Sequence, residues 1–366
     1  MRRFVPFGSH WAMGIELPYS LAVVDAGALW SCGQCPLDMQ AEAIAKGDLA
    51  AQTRLTAHFI REQFTPYGMA PAGIAKLVAY VVEDGRTSLA DVADILSDEL
   101  GAVPIVTAVG VPHFYYAGMM IEIDVYGTTE GTPTGRPVTV VPGATATVVS
   151  SGPLVHCRLQ LEPNADGAAA VRSLAPQLEG AVTGLDRLLS ARLYGDAARA
   201  RDGQFDALAE ALGTDGGRAV HASLPGGAAI TADLVFHRGT GNDPAVAARL
   251  TEATNSVRLE VRKSGPFLML AGRVATSGFA MPEATRRIME AFASALTAEG
   301  LGFADVVKQQ THYVGGASAE DLYSNMRIRN GFYAKPGPAS TGLAVHRLGD
   351  GQANIAIEVL ALRRDG

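Results

Sequence analysis

Apolar positions along this chain follow two alternating rhythms. Short runs that suit a half-buried or buried strand give way to stretches with apolar residues at three- and four-residue spacing, the mark of a helix with one packed face. A β-rich phrase ending in a small residue and glycine occurs three times. It reads Leu29-Trp30-Ser31-Cys32-Gly33, then Thr147-Val148-Val149-Ser150-Ser151-Gly152, then Phe267-Leu268-Met269-Leu270-Ala271-Gly272, with glycines at nearly even intervals. A helix is predicted after each phrase, over 51–64, 168–189 and 282–296, and Pro282 suits a helix start. A strand follows at 76–82, 188–194 and 306–314, then a second helix at 88–100, 203–212 and 319–333. Each third closes with two strands joined by a turn: 105–111 with 119–126, 219–224 with 229–236, and 341–348 with 354–362. Residues 128–142 and 240–260 read as linkers, the second partly helical.

This order predicts three repeats of one α+β unit, over 1–127, 140–240 and 260–366. Helices would cover one face of each sheet, leaving the other face for the sister repeats. Three such sheets around an axis would make a pseudo-threefold barrel with helices outside. One chain would then close its own interfaces, so a monomer or weak dimer is expected.

Composition narrows the class. Hydrophobic residues are 48% and charged ones 18% of the 366, which supports a sizeable core and excludes general disorder. Net charge is −7 with no Lys/Arg cluster, so neither nucleic-acid binding nor nuclease activity is expected. Cys32, Cys35 and Cys157 are too few for a disulfide scaffold. No apolar segment follows Arg2 and Arg3, so no signal peptide is read. Residues 100–121 lack Asp, Glu, Lys and Arg but contain prolines and glycines, and read as a buried hairpin rather than a membrane helix. A soluble cytoplasmic protein that does not touch membranes is expected.

Three phrases in the first third then stand out: Pro18-Tyr19-Ser20-Leu21-Ala22-Val23, Cys32-Gly33-Gln34-Cys35-Pro36-Leu37-Asp38, and Gly47-Asp48-Leu49-Ala50-Ala51-Gln52-Thr53. They resemble, in order, the P-Y-S-x-A-V, S-G-Q-x-P-x-D and G-D-x-x-A-Q-T patterns of the reactive intermediate deaminase (Rid, YjgF-like) family. The last third is similar to the family's C-terminal half through Arg329-Asn330-Gly331-Phe332-Tyr333, Pro338-Ala339-Ser340-Thr341-Gly342-Leu343 and 355–362. The middle third keeps the element order more than the residues. The resemblance implies three fused units with the chorismate-mutase-like fold of the family, and sites in the clefts between them. A weaker resemblance, through the stretch holding Ser340 and Thr341, is to chorismatases, also Rid-like pseudo-trimers.

The family's catalytic-site Glu lies in an E-I-E triplet on the final strand. The matching stretches here are Glu122-Ile123-Asp124, Thr231-Ala232-Asp233 and Ala356-Ile357-Glu358. The family's carboxylate-gripping Arg is absent: Val106 and Ser340 stand in its place, and Arg218 lies slightly out of register. The resemblance thus makes Glu122 the leading acid/base, with Glu358 as proton donor if the chemistry is chorismatase-like. Tyr19, Cys32, Gly33, Ser340 and Thr341 are the expected substrate contacts. Arg218, Arg327 and Arg329 could replace the lost Arg; Arg327 and Arg329 are two apart, so on a helix at most one faces the cleft. The C-x-x-C of Cys32 and Cys35 lacks the second pair or histidines of a zinc site, and no spacing suggests a metal or a phosphate-cradling loop. The expected activity is cofactor-free hydrolysis or deamination of a small imine, enamine or related conjugated metabolite. Its rivals are enol-ether hydrolysis releasing pyruvate, or metabolite binding without chemistry.

Overall fold

Local chemistry starts the helices where the pattern puts them. The Asp48 carboxylate accepts from the Ala51 N–H at 2.9 Å, and Ser88 and Asp91 close a reciprocal capping box. The structure is a computed structural model that describes residues 1–363 except 9, 179–180, 183, 215–217, 222, 240–244, 254–256, 275–277, 317 and 350. At 218, 220–221, 245–253, 319 and 321 it describes the backbone alone.

The first unit runs β1 (Arg3–Val5), β2 (Ala22–Asp25), β3 (Ala28–Ser31), α1 (Leu49–Phe64), β4 (Ile74–Val81), α2 (Leu89–Leu100), β5 (Ile105–Gly110) and β6 (Ile121–Thr128). The second runs β7 (Thr134–Thr139), β8 (Ala144–Ser151), β9 (Leu154–Leu161), α3 (Gly167–Leu174), β10 (Leu188–Asp196), α4 (Asp202–Ala211), β11 (Arg218–His221) and β12 (Ile230–His237). The third runs β13 (Ala245–Ala253), β14 (Val257–Ser264), β15 (Phe267–Val274), α5 (Met281–Ala298), β16 (Val306–Tyr313), α6 (Ala319–Asn330), β17 (Ala339–Ala344), β18 (Arg347–Leu348) and β19 (Ile355–Leu362). Among the described residues this is a mixed α+β chain of three sheets and six α-helices. No helix among them is long and apolar enough to cross a membrane.

The strand orders are β1-β2-β3-β6-β4-β5, β18-β11-β10-β12-β9-β8-β7 and β13-β14-β15-β19-β16-β17. Four expectations are corrected. The strand pairing leaves three open sheets, not one closed barrel, although β18 crosses from the last third to pair with β11. The closing strands are not hairpins: β5 lies parallel to β4, reached through α2, while β6 inserts between β3 and β4, so 100–121 is no hairpin either. The 240–260 linker is strand, not helix, in β13 and the start of β14. The helix predicted over 168–189 stops at Leu174 and passes into a 3-10 turn holding Pro176, which cannot continue the backbone ladder.

The repeated phrase also shifts. Gly152 lies in the β8–β9 turn at φ +55°, as Gly265 does in the β14–β15 turn, whereas Gly272 follows two-thirds of a strand later. A left-handed turn residue favours glycine whatever the strand around it. The even spacing of 33, 152 and 272 therefore joined unlike positions.

True equivalence appears in a bulge that recurs at the same place in all three sheets, between Ile74 and Lys76, Leu188 and Ser190, and Val306 and Lys308. The helices pack on one face of each sheet. The other faces share a single core with Trp30, Tyr80 and Tyr126 from the first sheet, Leu189 and Tyr194 from the second, and Met269, Val307 and Leu360 from the third. Buried ion pairs cross this core in a cycle. Lys76 reaches Asp233 at 2.7 Å, Arg192 pairs with Glu358, and Lys308 reaches Asp124 at 2.9 Å. Each cation of one sheet thus meets a carboxylate of the next. Burial draws the Lys76 and Lys308 ammonium groups below their usual range, and the facing carboxylates oppose that.

Candidate active site

The three carboxylates of the cycle, Asp124, Asp233 and Glu358, occupy one position of the repeat. Two residues before each stand Glu122, Thr231 and Ala356, paired across the sheet with Tyr80, Tyr194 and His312. Strand periodicity returns Glu122 and Asp124 to the same face, but the bridge of Gln34 to Ile123 ties the segment after β3 beside Glu122. That segment is Cys32-Gly33-Gln34-Cys35. Glu122 lies so close over Gly33 that a Cβ there would sit 1.7 Å from its Oε1. Gly33 is needed for this approach, not for a turn. Gly33→Ala is expected to push the carboxylate aside and lower turnover at least about tenfold, a loss of geometry that steady-state kinetics and an unchanged far-UV spectrum would reveal.

Glu122 and Gly33 line a cavity between the first and last thirds, about 660 Å³ with its open mouth included. Tyr19, Cys32, Arg329 and Ser340 line the same space. Glu122 is partly buried and has no hydrogen-bond partner among the described residues. Burial, reinforced by Asp124 and opposed by Lys308, pushes its carboxyl up to about 8. Such a group holds a proton near neutral pH and can hand it on.

Arg329, on α6, is 2% exposed. Its Nε donates to Asn325 Oδ1 at 3.1 Å and its Nη1 to Thr311 Oγ1 at 2.9 Å. No carboxylate pairs with it among the described residues, and Nη2 lies 3.7 Å from where a Cβ on Gly342, another lining residue, would stand. Arg327 instead faces outward and pairs with Glu320. Ser340, at the position of the family's Arg, accepts from Gln309 Nε2 at 3.1 Å. The same amide approaches the Tyr19 hydroxyl at 3.4 Å, while the Tyr333 hydroxyl donates to Gln309 Oε1 at 2.7 Å. Burial raises the Tyr19 hydroxyl above its usual range.

Other candidates fall elsewhere. Glu358 belongs to the ion-pair cycle, held by Arg192 and by the Ser190 hydroxyl at 3.1 Å. It lines a small space at the shared core rather than the Glu122 cavity. Thr341 joins the same ion-pair cycle, donating to Asp124 at 2.5 Å and accepting from Lys308 at 2.7 Å. Even though Ser340 and Thr341 are adjacent, strand alternation sends them to opposite faces. Arg218 lies on β11, its side chain outside the described residues. Both thiols of the C-x-x-C are buried, with pKa raised well above normal chiefly by desolvation, so neither is a ready thiolate.

Sequence reading missed Gln309, Tyr313 and much of the apolar wall: Phe7, Trp11, Met13, Phe114, Tyr115 and Tyr116. The signal available was an aromatic run in segments with neither a helical nor a strand period.

Residues 12–129 match the model of the Endoribonuclease L-PSP family. The resemblance of the first third to the Rid (YjgF-like) family, drawn from its motifs, is thereby borne out. No curated protein matches the chain. Among solved structures, a YjgF-family protein from Mycobacterium tuberculosis is 23% identical, covering 35% of this chain and 99% of its own, with a TM-score of 0.29. A conserved Rid-family protein of unknown function from Yersinia pestis, at 23% identity and TM-score 0.30, also covers 35% of this chain and 99% of its own. A chorismatase is 14% identical over 79% of this chain and 93% of its own, at TM-score 0.49.

Proposed function

We propose that the chain is a Rid-like hydrolase that adds water to the C=N bond of a carboxylate-bearing imine, or of an enamine through its imine form, in the cleft between the first and last thirds. The chain is read as three fused Rid-like units, over 1–127, 140–240 and 260–366, acting as a monomer or weak dimer. The observation that carries the reading is one cavity holding a carboxyl pushed up to about 8 and a buried, unpaired guanidinium that do not pair with each other. Arg329 takes over, from α6, the anion-binding duty of the Arg missing at Ser340 and Val106, gripping the substrate carboxylate with Nη2. Water forms a C–O bond at the imine carbon while Glu122 supplies a proton to the nitrogen. The added water returns a proton to Glu122, giving a neutral carbinolamine; Glu122 then protonates its amine and takes the hydroxyl proton back as the C–N bond breaks, yielding ammonia and a 2-oxo acid.

Imines made in situ by an amino-acid oxidase test this, with ammonia release as readout. Chorismate is the second substrate: pyruvate release without ammonia would favour enol-ether hydrolysis instead. Arg329→Met should raise KM about ten- to a hundredfold, the worth of one or two hydrogen bonds to a charged group, and Arg329→Lys should recover part of it. An unchanged KM in the methionine variant would remove Arg329 from substrate binding. As pH rises through about 8, Glu122 loses its proton and the acid-dependent limb of kcat/KM should fall.

A further inference from the structure

Away from Glu122, Arg329 and Ser340, the cavity wall is mostly apolar and aromatic, and part of it comes from a segment the second unit lacks. Residues 6–21 join β1 to β2, whereas 140–143 suffice to join β7 to β8. The longer connection brings Phe7, Trp11 and Met13 over the cavity, facing Phe114 and Tyr116 from the β5–β6 connection. Phe7 and Trp11 meet edge to face with ring centroids 5.1 Å apart. Trp11 is 2% exposed, yet its indole N–H has no hydrogen-bond partner among the described residues. A buried donor left unpaired is costly, and the face of an aromatic ring is a weak acceptor that an apolar cavity can receive.

A cation at one point and an aromatic chamber at another define a ligand with two ends. Building on the hydrolase reading above, we propose that the substrate is an aryl-bearing 2-imino acid or its enamine: carboxylate on Arg329, C=N beside Glu122, and ring among Phe7, Trp11 and Phe114. An aromatic ring buries a large apolar area and gains from offset or edge contacts with the chamber walls. A methyl-bearing imine would leave that surface unfilled. Since a single methylene in an apolar pocket is commonly worth tenfold or more, discrimination should be plain.

Calorimetric titration of the full chain with phenylpyruvate and pyruvate, the stable 2-oxo acid products, is the test, run beside the rates for imines made from phenylalanine and alanine. Phenylpyruvate should bind at least about tenfold tighter, with the same order in kcat/KM. Trp11→Ala, or Phe7→Ala should the first fail to fold, should shrink that ratio by weakening phenylpyruvate far more than pyruvate. Equal or reversed preference would overturn the aryl assignment, and ammonia released from either imine would still support the hydrolase reading. Tight phenylpyruvate binding with no ammonia from any imine would do the reverse.

Discussion

Glu122→Gln is expected to lower turnover of the imine about 10²–10⁴-fold, the usual contribution of a positioned acid or base. The amide keeps the shape over Gly33, so binding of the 2-oxo acid product should change little. Stability should move the other way. The folded carboxyl is raised to about 8 from an ordinary value of 4.5, so the native state holds this proton more tightly than the unfolded chain. Its contribution is fully present below about 4.5 and is lost as pH rises through about 8. Above that pH, wild type carries a desolvated charge and Glu122→Gln does not. Denaturant melts at pH 6 and pH 9 should show the variant gaining on wild type at the higher pH. A fully active Glu122→Gln, paired with a dead but folded Glu358→Gln, would move the chemistry to the last third.

Arg192→Met should cost about 3–5 kcal/mol of stability, the penalty of breaking a buried ion pair from one side. Arg192 pairs with Glu358, lies 3.9 Å from Asp233, and donates to the Tyr126 hydroxyl at 3.0 Å, so removing it strands Glu358 in the shared core and leaves Asp233 to Lys76 alone. Equilibrium unfolding measures this, and the midpoint should fall well below that of a surface change such as Arg327→Met. An unfolding free energy within about 0.5 kcal/mol of wild type, the usual span for surface substitutions, would show the cycle to be dispensable. The same comparison separates Glu358 as a core ion from Glu358 as a proton donor. In the first role its loss lowers stability; in the second it lowers rate.

The helices were legible because each buries one face, and one-sided burial leaves a period in the residues; inner strands, buried along their whole length, left short β-rich runs instead. The strand at Val306–Tyr313 and the helix at Leu89–Leu100 end within a residue or so of their predicted bounds. Glu122 was legible because it sits in a motif-bearing strand beside a recognisable Cys32-Gly33-Gln34 phrase. The chamber was not, since Phe7, Trp11 and Phe114 lie in connections whose apolar residues follow no period. Strand neighbours were misread where consecutive strands were assumed to pair: β6 and β5 follow one another in the chain, yet β6 pairs with β3 and β4. Backbone hydrogen bonds across a sheet leave little trace in the order of residues.

By itself the amino-acid order determined the α+β class and the one final strand that carries a carboxylate at the Glu122 position. These rest on local periodicity and on phrases a few residues long. Tertiary structure brought the candidate site together: Arg329 and Ser340 share a cavity with Glu122 and Tyr19, some two to three hundred residues away along the chain. It also decided that Glu358 and Thr341 belong to the core, because strand alternation turns them toward Arg192 and Asp124. A carboxylate becomes an acid or an ion-pair partner through the cation that folding brings beside it: Glu358 meets Arg192 inside the core, and Glu122 shares a cavity with Arg329 without pairing with it.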